Sequence, residues 1–234
     1  MSYIYEHIRT QGYKPLHFEE HYARLEELSN KLFLSNLATD KSGLCKNIAE
    51  ALRDGGYSPN RANAVCVKCY DDRTIEVECI DYLYNSFSLR ALRPQGYIEL
   101  VSGELITLNT SAKEAMLELN HTTAQIADKG VAIWANDNGE IVAIDGAAAV
   151  AVFDDEIRFS QLGSGVEFDL AYRAATMTKR RVTKGGIMVS ELRSVKELLA
   201  IDYRGITAIA KYGEHLYMDI TAERIAKQIA SIEE

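Results

Sequence analysis

The stretch from Val131 to Phe159 constrains the fold of this chain most strongly, because it holds three apolar runs separated by turn signals. The runs are residues 131–134, 141–144 and 147–153, and the turn signals are Asn136 to Gly139 and Asp154-Asp155. Short apolar runs bounded by Asn, Asp and Gly are typical of antiparallel strands. The stretch therefore predicts three successive antiparallel strands.

A run of small residues, Asp145 to Ala149, interrupts these predicted strands. Glycine and alanine in a sheet allow another backbone or a ligand to approach closely, whereas a bulge or close packing is the commoner cause. The sequence leaves both interpretations open.

The chain has 234 residues, of which 47% are hydrophobic, so it can bury one large core or two of ordinary size. Its formal net charge is -8 and its Lys and Arg are dispersed, which argues against a nucleic acid or an anionic membrane as partner. No run has the length of a membrane-spanning helix, and the N-terminus has no apolar signal-peptide core. We expect a cytoplasmic protein.

The four cysteines, Cys45, Cys66, Cys69 and Cys79, indicate buried free thiols. Cys66 and Cys69 have the spacing of half a zinc site or of a redox motif. They lie in a predicted strand, however, where residues three apart point to opposite faces and cannot share a tetrahedral metal. No second Cys or His pair completes a site, so we predict no metal centre.

Hydrophobic periodicity predicts an α+β organisation for the whole chain. Strands are predicted at residues 3–10, 14–16, 64–70, 74–82, 97–102, 186–189 and 201–209, and helices at 19–32, 42–52, 112–129, 166–179, 190–199 and 221–232. The turn Gly163-Ser164-Gly165 leads into one of these helices, and a glycine-led helix start can bind an anion through its N–H groups.

Three short motifs follow one another near the N-terminus: Tyr5-Glu6-His7-Ile8-Arg9, Lys14-Pro15-Leu16 and Glu20-His21-Tyr22-Ala23-Arg24-Leu25. In this order they resemble the opening of the class IV aminotransferases, the pyridoxal-phosphate proteins of fold type IV. That family includes branched-chain and D-amino acid aminotransferases and aminodeoxychorismate lyase. The order of elements agrees along nearly the whole chain, including Asn138-Gly139 in the central turn and Asp202 to Thr207 near the end.

The resemblance implies a two-domain α+β fold of type IV, with D-amino acid aminotransferase-like architecture. Its domains would be residues 1–104 and 108–234, joined by a connector at 105–107. It also implies a homodimer, pyridoxal 5'-phosphate as cofactor and a small amino acid-type substrate. The implied reaction is transamination or aminodeoxychorismate-type lyase chemistry.

By this resemblance, Arg24 contacts the cofactor phosphate, onto which a guanidinium forks with two charge-assisted hydrogen bonds. Further phosphate donors would come from Gly165-Val166 and from the turn Gly205-Ile206-Thr207. The alternative for Arg24 is a solvated helix arginine paired with Glu20 or Glu27.

The implied chemistry needs a lysine that forms a Schiff base with the cofactor aldehyde. Lys113 lies closest to the family lysine, whereas an ungapped count back from Gly130 puts Ser111 there. The sequence does not decide which of these two positions matches the family lysine. The alternative for Lys113 is an exposed lysine in a first helical turn.

The family also has a glutamate that bonds the pyridine nitrogen, in the strand after the Asn-Gly turn. The ungapped match is Ala143, and Asp145 would replace it only if the strand shifts, although a shift of one residue turns a side chain to the other face. This departure favours a second hypothesis: a catalytically degenerate homologue that binds a small anionic ligand or a partner without Schiff-base chemistry.

Two basic residues in predicted strands are candidates for the substrate pocket. Lys68 lies where some family members have a basic residue near the substrate carboxylate, and Arg9 could face the same pocket. A solvent-facing lysine, and an arginine paired with an acidic neighbour, are the alternatives.

Overall fold

The structure is a computed structural model that describes residues 1–81, 86–102, 107–126 and 130–233. Its contacts divide the chain into two compact units, Met1–Ser86 with Asn109–Ser111 and Phe87–Leu108 with Ala112–Glu234. The division falls earlier than the expected boundary, because residues 95–100 pair with strands of the second unit. Residues 104 to 106 of the expected boundary and connector lie outside the described residues.

The first unit is an antiparallel sheet with two helices. Its elements are β1 (Tyr3–Gln11), β2 (Lys14–Pro15), α1 (Phe18–Phe33), α2 (Lys41–Asp54), β3 (Ala62–Tyr70) and β4 (Ile75–Ile80). The strand order is β2-β1-β3-β4. The apolar stripe of α2, Leu44, Ile48 and Leu52, is fully buried, and Asp40 caps that helix by accepting a hydrogen bond from the Gly43 N–H at 2.7 Å. The predicted strand at 74–82 is confirmed over 75–80, and Tyr82 lies outside the described residues.

The second unit contains two five-stranded sheets with helices. Its elements are β5 (Gln95–Leu100), α3 (Ser111–Ile126), β6 (Val131–Ala135), β7 (Ile141–Ile144), β8 (Ala148–Val152), β9 (Glu156–Ser160), α4 (Val166–Thr176), β10 (Arg181–Gly185), β11 (Glu197–Asp202), β12 (Gly205–Ala208), β13 (Lys211–Tyr212), β14 (His215–Leu216) and α5 (Ile220–Glu233). One sheet has the order β10-β9-β8-β11-β12 and the other β14-β13-β5-β6-β7. The predicted helix at 112–129 is described as far as residue 126, and residues 127–129 lie outside the described part.

The three strands predicted between residues 131 and 153 are confirmed as strands. They do not form one antiparallel sheet, because β6 and β7 pair in one sheet whereas β8 joins the other, between β9 and β11. The apolar residues of β7 and β8 are buried, so this stretch contributes to the cores of both sheets.

The helix predicted at residues 190–199 is wrong. A short 3-10 turn, Val189–Glu191, is followed by β11, whose side chains from Glu197 to Ile201 are all buried. A short apolar run buried on both faces has no alternating pattern, so periodicity alone does not distinguish it from a buried helix.

Two findings concern expectations about membranes and metals. Within the described residues no helix is long and apolar enough to span a membrane. The same part of the chain holds no group of three or more His, Cys, Asp or Glu residues arranged for a metal ion. Cys66 and Cys69 are buried, while Cys45 and Cys79 are half-buried.

Candidate functional site

Lys113 lines a small cavity in the second unit. The helix α3 begins at Ser111, and Lys113 on its first turn is only 8% exposed. The other lining residues are mostly small or apolar: Thr107, Val142, Ala143, Gly146, Ala147, Ala148, Leu162, Gly163 and Ser164. The cavity volume is about 20 Å³, room for about one water molecule. The sequence left Lys113 and Ser111 open as the position of the Schiff-base lysine. Of these two, Lys113 lines the cavity.

Helical periodicity explains why Lys113 is buried. Positions three, four and seven residues further along an α-helix share one face. Met116 and Leu117 pack against the apolar cluster around Trp134, and Asn120 is buried as well. Lys113 therefore lies on the inward face of α3, and the alternative of an exposed lysine is wrong.

The small-residue run after β7 is a tight turn. Asp145 and Gly146 have φ angles of 51° and 72°, and Ile144 and Ala147 exchange two backbone hydrogen bonds of 2.9 Å. Positive φ at both central residues is typical of a type I′ hairpin turn, for which Asp-Gly is a preferred sequence. A Cβ at Gly146 would lie 2.6 Å from a methyl carbon of Leu117, so close packing of α3 accounts for this glycine.

The Asp145 carboxylate is bound by the side chains of Arg204 and His121. Its Oδ2 accepts a hydrogen bond from Arg204 Nη1 at 3.1 Å, and its Oδ1 lies 2.5 Å from His121 Nε2. Arg204 also donates from Nε to Asp202 at 2.8 Å, and the charge of Asp202 raises the pKa of Arg204 above its ordinary value. Asp145 does not line the cavity beside Lys113.

The start of β12 is held by a neighbouring extended segment. Ile206 donates its N–H to the Ser88 carbonyl at 3.0 Å and accepts from the Arg90 N–H at 2.8 Å. A Cβ at Gly205 would lie 2.4 Å from the Ser88 oxygen, which explains the glycine there. Arg90 Nη1 donates to Thr207 Oγ1 at 3.1 Å. The Ile206 N–H, one of the expected phosphate donors, is thus bonded to protein.

The other expected phosphate donors lie at the start of α4. Gly165 is the N-cap residue, with a φ angle of 148°, and Val166 is the first helical residue and is buried. The preceding residues Gly163 and Ser164 line the Lys113 cavity. The structure therefore brings the start of α4 next to Lys113, within the second unit.

Arg24 belongs to a buried network in the first unit. Its Nε donates to Glu6 Oε1 at 3.1 Å, Asn109 Nδ2 donates to the same oxygen at 3.1 Å, and His21 Nδ1 lies 2.9 Å from Glu6 Oε2. Burial acts to raise the pKa of Glu6, but the hydrogen bond from His21 and the charge of Arg24 outweigh it and hold the pKa at about 2. Arg24 thus pairs with Glu6, a residue of β1.

Arg9 and Lys68 lie on one face of the first sheet. Arg9 is opposite Ala64 and Lys68 is opposite Tyr5, so the alternation of side chains points both basic residues the same way. Glu6, with Arg24, points to the opposite face. Lys68 is bonded to Glu78 at 2.8 Å, and Arg9 is 2% exposed. The structure brings the two predicted substrate residues to a common face and separates them from Arg24.

Sequence reasoning missed Arg90 and Arg204. Arg90 stands in no recognisable motif, and Arg204 lies in the segment Asp202 to Thr207 without a role assigned to it. Each acts through a residue far away in the chain, Thr207 and Asp145 respectively.

Comparison with known proteins extends the similarity beyond these residues. No protein-family model matches the sequence, and no curated protein is a significant match. Among solved structures, a protein assigned as a branched-chain amino acid aminotransferase from Thermotoga maritima has a TM-score of 0.80 at 15% identity, over 98% of this chain and 85% of that chain. A protein assigned as a 4-amino-4-deoxychorismate lyase from Legionella pneumophila has a TM-score of 0.75 at 10% identity, over 92% and 85%. The branched-chain aminotransferase from the archaeon Thermoproteus uzoniensis, solved with norvaline, has a TM-score of 0.79 at 16% identity, over 98% and 84%.

This chain therefore has the fold of the class IV, fold type IV pyridoxal-phosphate enzymes, and the fold prediction is confirmed. The similarity covers most of each chain. At 10–16% identity it defines the fold, and the activity has to be argued from the site.

Proposed function

We propose that this protein is a pyridoxal-phosphate-dependent enzyme that acts on an amino acid-type substrate, by transamination or by aminodeoxychorismate-type lyase chemistry. The observation that carries the proposal is the burial of Lys113 at a cavity walled by small side chains, in a fold shared with aminotransferases and lyases. A lysine amine is the group that attaches this cofactor covalently. We assign Lys113 to that role.

The cofactor, when bound, supplies an electron sink for a substrate carbon that loses a proton. Lys113 would hold it, and the same amine would carry the proton to and from that carbon. Gly146, Ala147 and Gly163 contribute small walls to the cavity that Lys113 lines. The nearby start of α4 would supply N–H donors to the phosphate.

The residues at the cavity fit the cofactor in part. Lys113 is buried and lines the cavity, and the glycine-led start of α4 follows directly on the lining residues Gly163 and Ser164. Two features do not match. The cavity is far smaller than the roughly 300–1,000 Å³ of ordinary ligand pockets, so its wall has to open for a ring to enter. Among the described residues that line it, none carries a carboxylate for the pyridine nitrogen.

The missing carboxylate favours a second candidate function. In it, the protein is a degenerate homologue that binds a small anionic ligand without covalent cofactor chemistry. The specific observation is the position of Asp145, whose two oxygens are bound to His121 and Arg204. A carboxylate held in this way is not available to keep a ring nitrogen protonated.

Covalent trapping distinguishes the two functions. The purified protein is incubated with pyridoxal phosphate, its visible absorbance is recorded, and borohydride reduction is followed by peptide mass mapping. We expect a new absorbance band and a reduced adduct on Lys113 that is absent from Lys113→Met. Lys196→Met, which changes an exposed lysine of the same unit, is the matched control and should retain the adduct. A folded protein without any lysine adduct contradicts the enzyme proposal and leaves the anion-binding homologue.

A further inference from the structure

The strand β10 is an open edge of its sheet. The strand order is β10-β9-β8-β11-β12, and within the described residues no further strand pairs with β10. The opposite edge is covered, because Ser88 and Arg90 bond both backbone groups of Ile206 on β12. An edge strand offers unpaired N–H and C=O groups with which a strand of another chain can pair.

The backbone groups of Val182 and Lys184 face this open edge. Gly185 accepts a hydrogen bond from the Gln161 N–H at 3.1 Å, so its backbone groups face β9. Along a strand the N–H and C=O of one residue point to the same side, and that side alternates from residue to residue. Val182 and Lys184 are each an odd number of residues from Gly185, so their N–H and C=O groups point away from the sheet.

Basic side chains follow the same edge. Lys and Arg are dispersed over most of the chain, but four of them fall within residues 179–184, which contain no acidic residue. Lys179, Arg180, Arg181 and Lys184 are all exposed. The formal net charge of the chain is -8, so this segment stands out from its surroundings in sign. Such a local field attracts acidic partners.

An open groove lies along β9 and β10. Its volume is about 540 Å³, within the roughly 300–1,000 Å³ of ordinary ligand sites. Glu156 in its lining is already bound by protein groups, since it accepts hydrogen bonds from Arg158 at 2.9 Å and from Thr183 at 3.2 Å. Arg158 in turn donates to Glu191 at 2.9 Å. Asp155, at the turn before β9, is the other acidic residue of the lining.

Arg181 and Lys184 keep their charges available to a partner. No ion pair of Arg181 occurs among the described residues, whereas Arg158 has two. Lys184 Nζ lies 3.6 Å from Asp169 Oδ1, and an exposed pair of this kind contributes little. Residues three apart in a strand point to opposite faces, so the edge carries a cation on each face of the sheet.

The charges also decide which strand can pair with β10. A second copy of β10 would bring like charges next to one another, which disfavours pairing between copies of this chain. A strand with acidic side chains would instead place opposite charges side by side.

We propose that β10 binds an extended acidic segment of a partner protein, which adds to the sheet as a further strand with carboxylates beside Arg181 and Lys184. Main-chain hydrogen bonds provide affinity in this mode of recognition, and side chains provide specificity. The interaction is independent of the proposed function, because no residue of β10 lines the Lys113 cavity.

Fluorescence anisotropy of a short labelled peptide that alternates Glu and Val tests the proposal on the full chain. We expect saturable binding that weakens as salt is added, because the charges are exposed. The same peptide with Lys in place of Glu should not bind. The acidic peptide with prolines at its centre should bind about tenfold more weakly, because proline donates no ladder hydrogen bond.

Charge reversal tests the two basic residues. Arg181→Glu combined with Lys184→Glu should weaken binding of the acidic peptide by at least about tenfold, since attraction becomes repulsion. Arg224→Glu combined with Lys227→Glu makes the same change of charge at exposed positions of α5 and is the matched control. This control should retain most of the wild-type affinity.

A proline on the edge tests the backbone. Lys184→Ala and Lys184→Pro remove the same charge, but only Lys184→Pro also removes the outward N–H, and β9 does not use that group. We expect Lys184→Pro to bind the acidic peptide more weakly than Lys184→Ala does. If Lys184→Pro does not fold, the peptide with central prolines decides the same question.

Three results would overturn the proposal. Equal binding of the acidic peptide and its proline version would show that charge alone attracts the peptide, without a strand. Tighter binding of a single-stranded oligonucleotide than of the acidic peptide would identify a surface for nucleic acid instead. A wild-type protein that does not bind the acidic peptide would leave the basic residues as protection of the edge against self-association.

Discussion

Arg204 Nη1 lies 3.1 Å from Asp145 Oδ2, and this ion pair joins the hairpin after β7 to the turn before β12. The two residues are far apart in the chain, and the contact ties together strands from both sheets of the second unit. It also decides the chemistry available to Asp145, because the carboxylate is neutralised by protein groups.

Removal of this ion pair should destabilise the protein. We expect Arg204→Met to lower the free energy of unfolding by about 1–3 kcal/mol, because Asp145 and Asp202 lose charged hydrogen bonds. Thermal unfolding of Arg204→Met and of Arg193→Met, an exposed arginine of the same unit, measures the effect. Equal midpoints for the two variants would show that the Arg204 contacts contribute nothing.

Gly146 should tolerate alanine much less well than Gly139 does. Both glycines have φ angles near 70°, but a Cβ at Gly146 lies 2.6 Å from Leu117, while a Cβ at Gly139 has nothing within 4 Å. We expect a loss of about 1–2 kcal/mol for Gly139→Ala from backbone strain alone. We expect a further loss of about 1–3 kcal/mol for Gly146→Ala from overpacking. Urea unfolding gives both values.

The double variant Gly146→Ala, Leu117→Ala isolates the steric part of this effect. Because the leucine methyl groups are gone, the glycine substitution should cost about as much in the Leu117→Ala background as at Gly139. An undiminished cost would assign the effect to the backbone instead.

Glu6 should make the stability of the first unit sensitive to acid. Its pKa is about 2 in the folded protein and 4.5 ordinarily, so its ionised form contributes stability above about pH 4.5. This contribution is lost as the pH falls from 4.5 towards 2. We expect the thermal midpoint of the wild type to exceed that of Glu6→Gln at pH 7 and to converge on it in acid. Glu27→Gln changes an exposed position of α1 and is the control. Because Glu6 is intact in this variant, its thermal midpoint should change with pH as that of the wild type does.

Cys69 should alkylate more slowly than Cys45 and Cys79. It is 4% exposed, and burial raises its pKa to about 12, so the reactive thiolate is scarce at pH 8. Cys45 and Cys79 are half-buried and should react sooner with iodoacetamide. Timed alkylation with mass mapping gives the order, and alkylation in urea is the control, in which all four thiols become accessible. Early labelling of Cys69 in the folded protein would contradict the burial of this strand.

Much of the fold followed from local patterns. Helical spacing predicted α1 and α2, and apolar runs bounded by turn signals predicted β6 to β8. These features depend on residues close in sequence, whose backbone preferences and burial are visible in a short window. The order of motifs then predicted the fold, which the solved structures confirm.

The candidate site followed from sequence only in part. Lys113 was named from the resemblance, but its burial depends on how α3 packs, and the choice between Lys113 and Ser111 needed the structure. The helix predicted at 190–199 was wrong because burial of β11 on both faces removed its period. Tertiary packing overrides local preference at such positions.

The sequence by itself determined the class of fold, the absence of a basic or membrane-seeking composition, and the residue types available for chemistry. Only the tertiary structure decided that Asp145 pairs with Arg204, that Glu6 binds Arg24, and that Arg90 stands beside Thr207. The physical reason is that local patterns report which residues are buried, whereas hydrogen bonds and ion pairs depend on distances between atoms that the chain brings together from distant positions.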